Sequence, residues 1–184
     1  MRSKGMWIAL AALAVLLIGI FVYLNLRSRS LSPQDEETLT TGGITATVKY
    51  SRPSARGRVI FGTSDQEALQ PYGEYWRLGA NEATEITFNR DVLFNGSPVK
   101  AGTYRMYAVP GENSFEMVLN TEVGKSGARQ PDEENDVLRT KVQTQKTTAP
   151  VEQFTISLAP QNEGMQMVFE WADTRFVVPV RAAE

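Results

Sequence analysis

The rhythm of hydrophobic and polar positions changes once along this chain. Across residues 5–26 no side chain is charged, and most are Ala, Leu, Ile or Val. At about 1.5 Å rise per helical residue, about 20 apolar residues cross a hydrocarbon layer of about 30 Å. The run therefore predicts a membrane-spanning helix over 6–26. Residues 27–43 are polar, with Pro33 and Gly42-Gly43 and few large apolar side chains. That composition reads as a flexible linker. From Ile44 onward the apolar period is two.

Ile44, Ala46, Val48 and Tyr50 alternate with Thr45, Thr47 and Lys49, as on a half-buried strand. RVIFG (58–62), TEITF (84–88), TYRMYAV (103–109), SFEMVLN (114–120), KVQTQKTT (141–148), QFTISLA (153–159), MQMVFEWA (165–172) and TRFVVPV (174–180) read as further short strands. Asn95-Gly96 predicts a tight hairpin, and Ala172-Asp173 a second. Pro131 followed by Asp132, Glu133 and Glu134 predicts a short helix reaching about Arg139. Residues 44–184 thus read as an all-β domain, an antiparallel β-sandwich or jelly-roll-like fold behind one N-terminal transmembrane helix.

The flanks of the apolar run bear on its role. Trp7 and Tyr23 stand near its ends, where amphipathic aromatics favour a membrane interface. Arg2 and Lys4 precede it; Arg27 and Arg29 follow. A cleaved secretory signal is the competing reading. Against it, the run is long for a signal, and the small-x-small triplet Ala12-Leu13-Ala14 lies inside it. The N-side charges and the terminal amine favour a cytoplasmic segment 1–5 and an exported domain. The expectation is a single-pass membrane protein with its bulk on the periplasmic side of the inner membrane.

Charge and composition then narrow the chemistry. Of 19 basic residues, four flank the apolar run; the other 15 accompany all 21 acids, a net charge of −6 beyond residue 30. This balance disfavours a nucleic-acid partner, which calls for a basic footprint. The chain has no Cys and no His. Disulfides, thiol nucleophiles, Ser-His-Asp catalysis and His or Cys zinc sites are excluded. No cofactor or metal is implied.

GEYWRLGANEATEITF (73–88) is the densest constellation. Trp76, Arg77, Asn81, Glu82 and Thr84 place an aromatic ring, a guanidinium, an amide, a carboxylate and a hydroxyl within nine residues. Gly79 permits a sharp turn, and Arg77 can grip a carboxylate or phosphate with two parallel hydrogen bonds. The candidate site is Arg58, Tyr72, Tyr75, Trp76, Arg77, Asn81, Glu82 and Thr84. Trp76 would stack or wall it, Asn81 and Glu82 would orient Arg77 or the ligand, and Tyr72 and Tyr75 would be exposed in a turn. The structural alternative buries Trp76 and pairs Glu82 with Arg77 or Arg58.

Other motifs are weaker. Arg52, Arg56 and Arg58 form a small basic cluster able to hold an anion or meet lipid headgroups, or simply a solvated strand end. VGKSG (123–127) lacks the first glycine of a phosphate loop, since Leu119 stands there. DEEND (132–136) lacks calcium-loop spacing. Glu74, Glu82, Glu85, Glu116 and Glu170 lie near strands, but nothing singles out a hydrolytic pair; parity turns Glu116 and Glu170 to solvent.

PYGEYWRLGANEATEITF, the following DVLFNGSPVKAGTYRMYAVPG and the upstream RPSARGRVIFG resemble the family called domain of unknown function 2911 over roughly 49–180. The resemblance implies an exported domain and supplies no catalytic residues. Leu78 stands where the family commonly has Thr. The expected function is a non-catalytic binding or accessory module of the cell envelope, with the membrane and envelope-complex proteins as partners. The alternatives are a glycan- or peptide-binding module and a carboxylate-based hydrolase.

Overall fold

The computed structural model describes residues 4–183. Residues 1–3, with Arg2 and most of the expected cytoplasmic segment 1–5, lie outside the described residues, as does Glu184. Helix α1, Lys4–Leu31, has 28 residues and none of them is buried. It is long and apolar enough to cross a membrane, which is compatible with an anchor or with a signal. It runs five residues beyond the expected span. Residues 27–31 contain no Gly or Pro, and the helix ends at Ser32-Pro33, where the residue before proline is forced out of helical geometry.

The remainder of 27–43 is not a linker. Strand β1, Gln34–Thr41, pairs antiparallel with β2, Ile44–Ser51, across Gly42 and Gly43 at φ +56° and +74°. Its polar composition hid the period of two. The Thr38–Thr47 and Thr40–Thr45 hydroxyl pairs sit at 2.9 Å, Lys49 meets Glu36 at 3.2 Å, and Leu39 packs on the core. An edge strand with one wet face needs little more.

The other strands are β3 (Phe61–Gly62), β4 (Gln70–Pro71), β5 (Thr84–Phe88), β6 (Val92–Phe94), β7 (Ser97–Val99), β8 (Gly102–Val109), β9 (Ser114–Asn120), β10 (Asp136–Gln161) and β11 (Gly164–Ala182). Nine of the eleven strands form one antiparallel sheet in the order β1-β2-β5-β8-β9-β10-β11-β6-β7, while β3 and β4 form a small parallel pair. The first part of β10 pairs with β9 and the rest with β11. Register shifts between Lys146, Val151 and Thr155 divert the long strand. The sheet thereby faces itself in a sandwich-like arrangement. Tyr50 on β2 ties the halves: its hydroxyl donates to the Ile156 carbonyl at 3.1 Å and accepts the Ile156 N–H at 3.0 Å.

Alternation places the core as expected on β2 and β5, where Ile44, Ala46, Val48, Tyr50, Thr84, Ile86 and Phe88 are buried. Asn95-Gly96, at φ +49° and +85°, forms the β6–β7 hairpin. Three local expectations are corrected. The helix over 131–139 is one 3-10 turn, Glu133–Asn135, capped by the Asp132 side chain; β10 takes over at Asp136 because pairing with β9 satisfies more backbone. Ala172 makes no hairpin. At φ +51° it sits opposite Val151 in a bulge, and the reversal comes at residues 162–163 instead. Of RVIFG only Phe61 and Gly62 join a ladder.

Candidate functional site

The corner lies between β4 and β5. Trp76 donates its N–H to the Ala108 carbonyl at 2.8 Å and accepts the Ala108 N–H at 2.9 Å, which bridges it to β8. This backbone pairing turns the indole inward. Trp76 is 1% exposed, stacked on Trp171 at 6.0 Å and edge-on to Phe61, Phe115 and Phe154. It does not wall a surface site; an aromatic of this size contributes most when buried between layers.

The next residues explain the odd composition. Leu78, Gly79 and Asn81 have φ of +52°, +147° and +59°, so the chain reverses within four residues. A Cβ on Gly79 would lie 2.7 Å from the Ser51 carbonyl oxygen. Thr84 is fully buried, and its hydroxyl donates to the Leu78 carbonyl at 2.6 Å. It closes the turn and reaches no ligand. The Gly127 N–H donates to the Asn81 carbonyl at 3.0 Å, joining the corner to the 121–135 loop.

Asn81 and Glu82 engage the helix rather than Arg77. The Ser28 hydroxyl donates to the Asn81 side-chain oxygen at 2.6 Å, and Arg29 pairs with Glu82 at 2.6 Å. The last turn of α1 is therefore docked on the corner. Arg58 pairs with no acid among the described residues; it donates to the Ala55 and Ser54 carbonyls at 3.0 and 2.7 Å. Tyr72 and Tyr75 are half-buried rather than exposed. The Tyr75 hydroxyl accepts from buried Arg105 at 2.6 Å and donates to the Gly127 carbonyl at 3.1 Å.

Arg77 is half-buried and makes no ion pair among the described residues. Its stem passes over Gly127, and it lines two clefts. One, of about 680 Å³, has mixed charge: Arg29, Lys49, Glu82, Glu85 and Lys125 share its wall. The other, of about 330 Å³, is lined by Ser54, Arg56, Arg58, Gln70, Arg77 and Trp171 among others, with no carboxylate. Of the expected residues, Arg58, Arg77 and Asn81 meet at this second cleft. Ser54 and Gln70 were not legible as site residues. Arg56 had a signal in the SRPSARGR cluster, and Trp171, nearly a hundred residues downstream, only its aromatic character.

A second polar constellation covers the outer face of β8, β9 and β10. The Tyr107 hydroxyl donates to the Asp136 carboxylate at 3.0 Å, Asn120 donates to it at 2.8 Å, and Arg139 at 2.9 Å. Arg139 also meets Glu116 at 2.9 Å and Glu133 at 3.2 Å. Burial and the Asp136 carboxylate push the Tyr107 hydroxyl far above its usual pKa. The alternation of 103–109 concealed this region, because Arg105 and Tyr107 are as buried as Met106.

Four of the acids weighed for hydrolysis, Glu82, Glu85, Glu116 and Glu170, are engaged elsewhere. Glu116 and Glu170, expected to face solvent, are half-buried and paired with Arg139 and Arg175 at 2.9 and 3.4 Å. Glu85 accepts the Gly124 N–H at 2.5 Å. Among the described residues no three ligand-type side chains converge on a metal position.

Comparison with curated proteins and with solved structures finds no match. A family profile covers residues 32–180, everything from the end of α1 almost to the end of β11. That is most of the chain, including the corner and the Asp136 network, and on this ground the chain belongs to the DUF2911 family, proteins of unknown function.

Proposed function

We propose that this protein is a membrane-anchored, exported and non-catalytic binding module of the cell envelope. Its ligand surface is the corner where the anchor meets the sandwich. The observation that carries this reading is Arg77, half-buried, without an acidic partner among the described residues and shared by two clefts. A guanidinium half removed from water and left unpaired is held for an acceptor that arrives.

Two features support the non-catalytic part. The carboxylates with displaced pKa values, Asp91, Glu122 and Asp173, are all lowered by donors, the opposite of a general acid held protonated. The acids lining the mixed cleft, Glu82 and Glu85, already accept from Arg29 and Gly124.

The test extracts the full-length chain, tagged at its C-terminus, in mild detergent. A peptide, glycan or protein that co-purifies and is lost in Arg77→Ala supports the corner as the binding surface. Co-purification that survives Arg77→Ala and disappears when α1 is replaced overturns it, and makes the chain a subunit held by its helix. Protease accessibility of the C-terminal tag from the outer side of the membrane checks the orientation.

A further inference from the structure

The smaller cleft deepens the proposed function by naming a ligand class, and it rests on that reading of the corner. Arg56, Arg58 and Arg77 line it together, and no carboxylate does. The acid nearest by bonding is Glu152, which accepts the Arg56 backbone N–H at 2.9 Å from outside the cleft wall. Arg58 is pinned through Nε and Nη2 by the Ala55 and Ser54 carbonyls, so its fork is pre-set while Nη1 is left over. Trp171 forms part of the wall and is 1% exposed; its indole N–H, like that of core Trp76, is buried without a partner among the described residues.

Like charges held together repel, and an anionic ligand among the three arginines relieves that repulsion. A carboxylate brings a single charge and fits one arginine fork. A phosphate brings up to two charges and at least three acceptor oxygens. Ser54 and Gln70 add hydroxyl and amide groups for an ester or protonated oxygen. Ser28 and Leu31 of the helix end line the same cleft, so its mouth stands where an anchored α1 would leave the bilayer.

We infer that the cleft bounded by Arg56, Arg58, Arg77 and Trp171 binds a phosphate group, carried by a lipid headgroup of the anchoring membrane or by a free phosphate compound.

The experiment uses the full-length chain in maltoside micelles, which contain no phosphate, and follows the indole N–H resonances by NMR. Inorganic phosphate and glycerol 3-phosphate are titrated in one arm; phosphatidic acid and phosphatidylglycerol are mixed into the micelles in the other. A saturable shift of the Trp171 resonance, with that of core Trp76 unmoved, supports the proposal. Shifts in the first arm assign a free compound, and shifts in the lipid arm alone assign a headgroup. Arg58→Met and Arg77→Met should each weaken binding by about tenfold or more, as loss of a charged hydrogen bond implies. An unmoved Trp171 signal in both arms overturns the proposal, as does binding indifferent to both variants. If phosphate fails while an Arg77-dependent partner still co-purifies, the corner stands and only the ligand class falls.

Discussion

Two regions of this protein gather arginine beside aromatic rings, and they resolve its charge in opposite ways. On the outer face of β8–β10, Arg139 meets Glu116, Glu133 and Asp136, and the Asp136 carboxylate also holds Tyr107 and Asn120. Arg139, Tyr107 and Asn120 each find an acceptor on the same chain. At the corner, Arg56, Arg58 and Arg77 share a cleft with Trp171 and with no acid. The first arrangement holds the fold together. The second is tolerated by the fold, and the difference separates polar residues that serve stability from those proposed above to await a ligand.

The sharpest way to break the comparison is at Asp136, whose side chain is 7% exposed. Asp136→Ala strands Tyr107, Asn120 and Arg139 together, and should lower unfolding free energy by about 3–5 kcal/mol, read from urea denaturation. A loss under about 1 kcal/mol would mean that the network is no more structural than the corner.

Gly79→Ala comes next. The backbone at φ +147° and the Ser51 carbonyl 2.7 Å from the added Cβ should cost about 1–3 kcal/mol of strain. Thermal melting measures it. The same variant should displace the 78–84 turn and with it Arg77, so ligand capture falls together with stability. Unchanged stability would show that the turn is free to relax.

Arg77→Met should do the reverse. The methionine keeps an apolar stem over Gly127, and no ion pair is lost among the described residues. Stability should stay within about 0.5 kcal/mol while capture of the ligand is lost. A fall as large as that of Asp136→Ala would move Arg77 into the structural class.

Acid is the mildest perturbation. The Lys125 ammonium and the Asp132 N–H hold the Glu122 carboxyl down to about 2, below its ordinary value of 4.5. Its folded pKa is depressed, so its contribution is present above pH 4.5 and is lost as pH falls from 4.5 toward 2. Hydrogen exchange of the Asp132 amide should accelerate through that window, while the Trp76 amide in the core stays protected.

Some of this was legible from residues alone, because their physics is local. An uncharged apolar run of about 20 residues is a helix that can cross a membrane wherever it stands. Period-two alternation on β2 and β5, and the Asn95-Gly96 turn, need only neighbours one or two positions away. Gly79 and Asn81 announced a special corner for the same reason, since left-handed backbone favours Gly and Asn.

What the tertiary structure decided was the partner of each long side chain. Trp76 could face water or core until its pairing with Ala108 turned it inward. Glu82 could meet Arg77 or Arg58 until the end of α1 brought Arg29 to it. Residues 34–41 looked like linker because an edge strand takes its stability from hydrogen bonds and threonine pairs with β2, which composition does not display. Trp171 reached the arginine cleft across most of the domain. Propensity and period act over a few residues, whereas the sign and satisfaction of a charge depend on groups that only folding brings within about 4 Å.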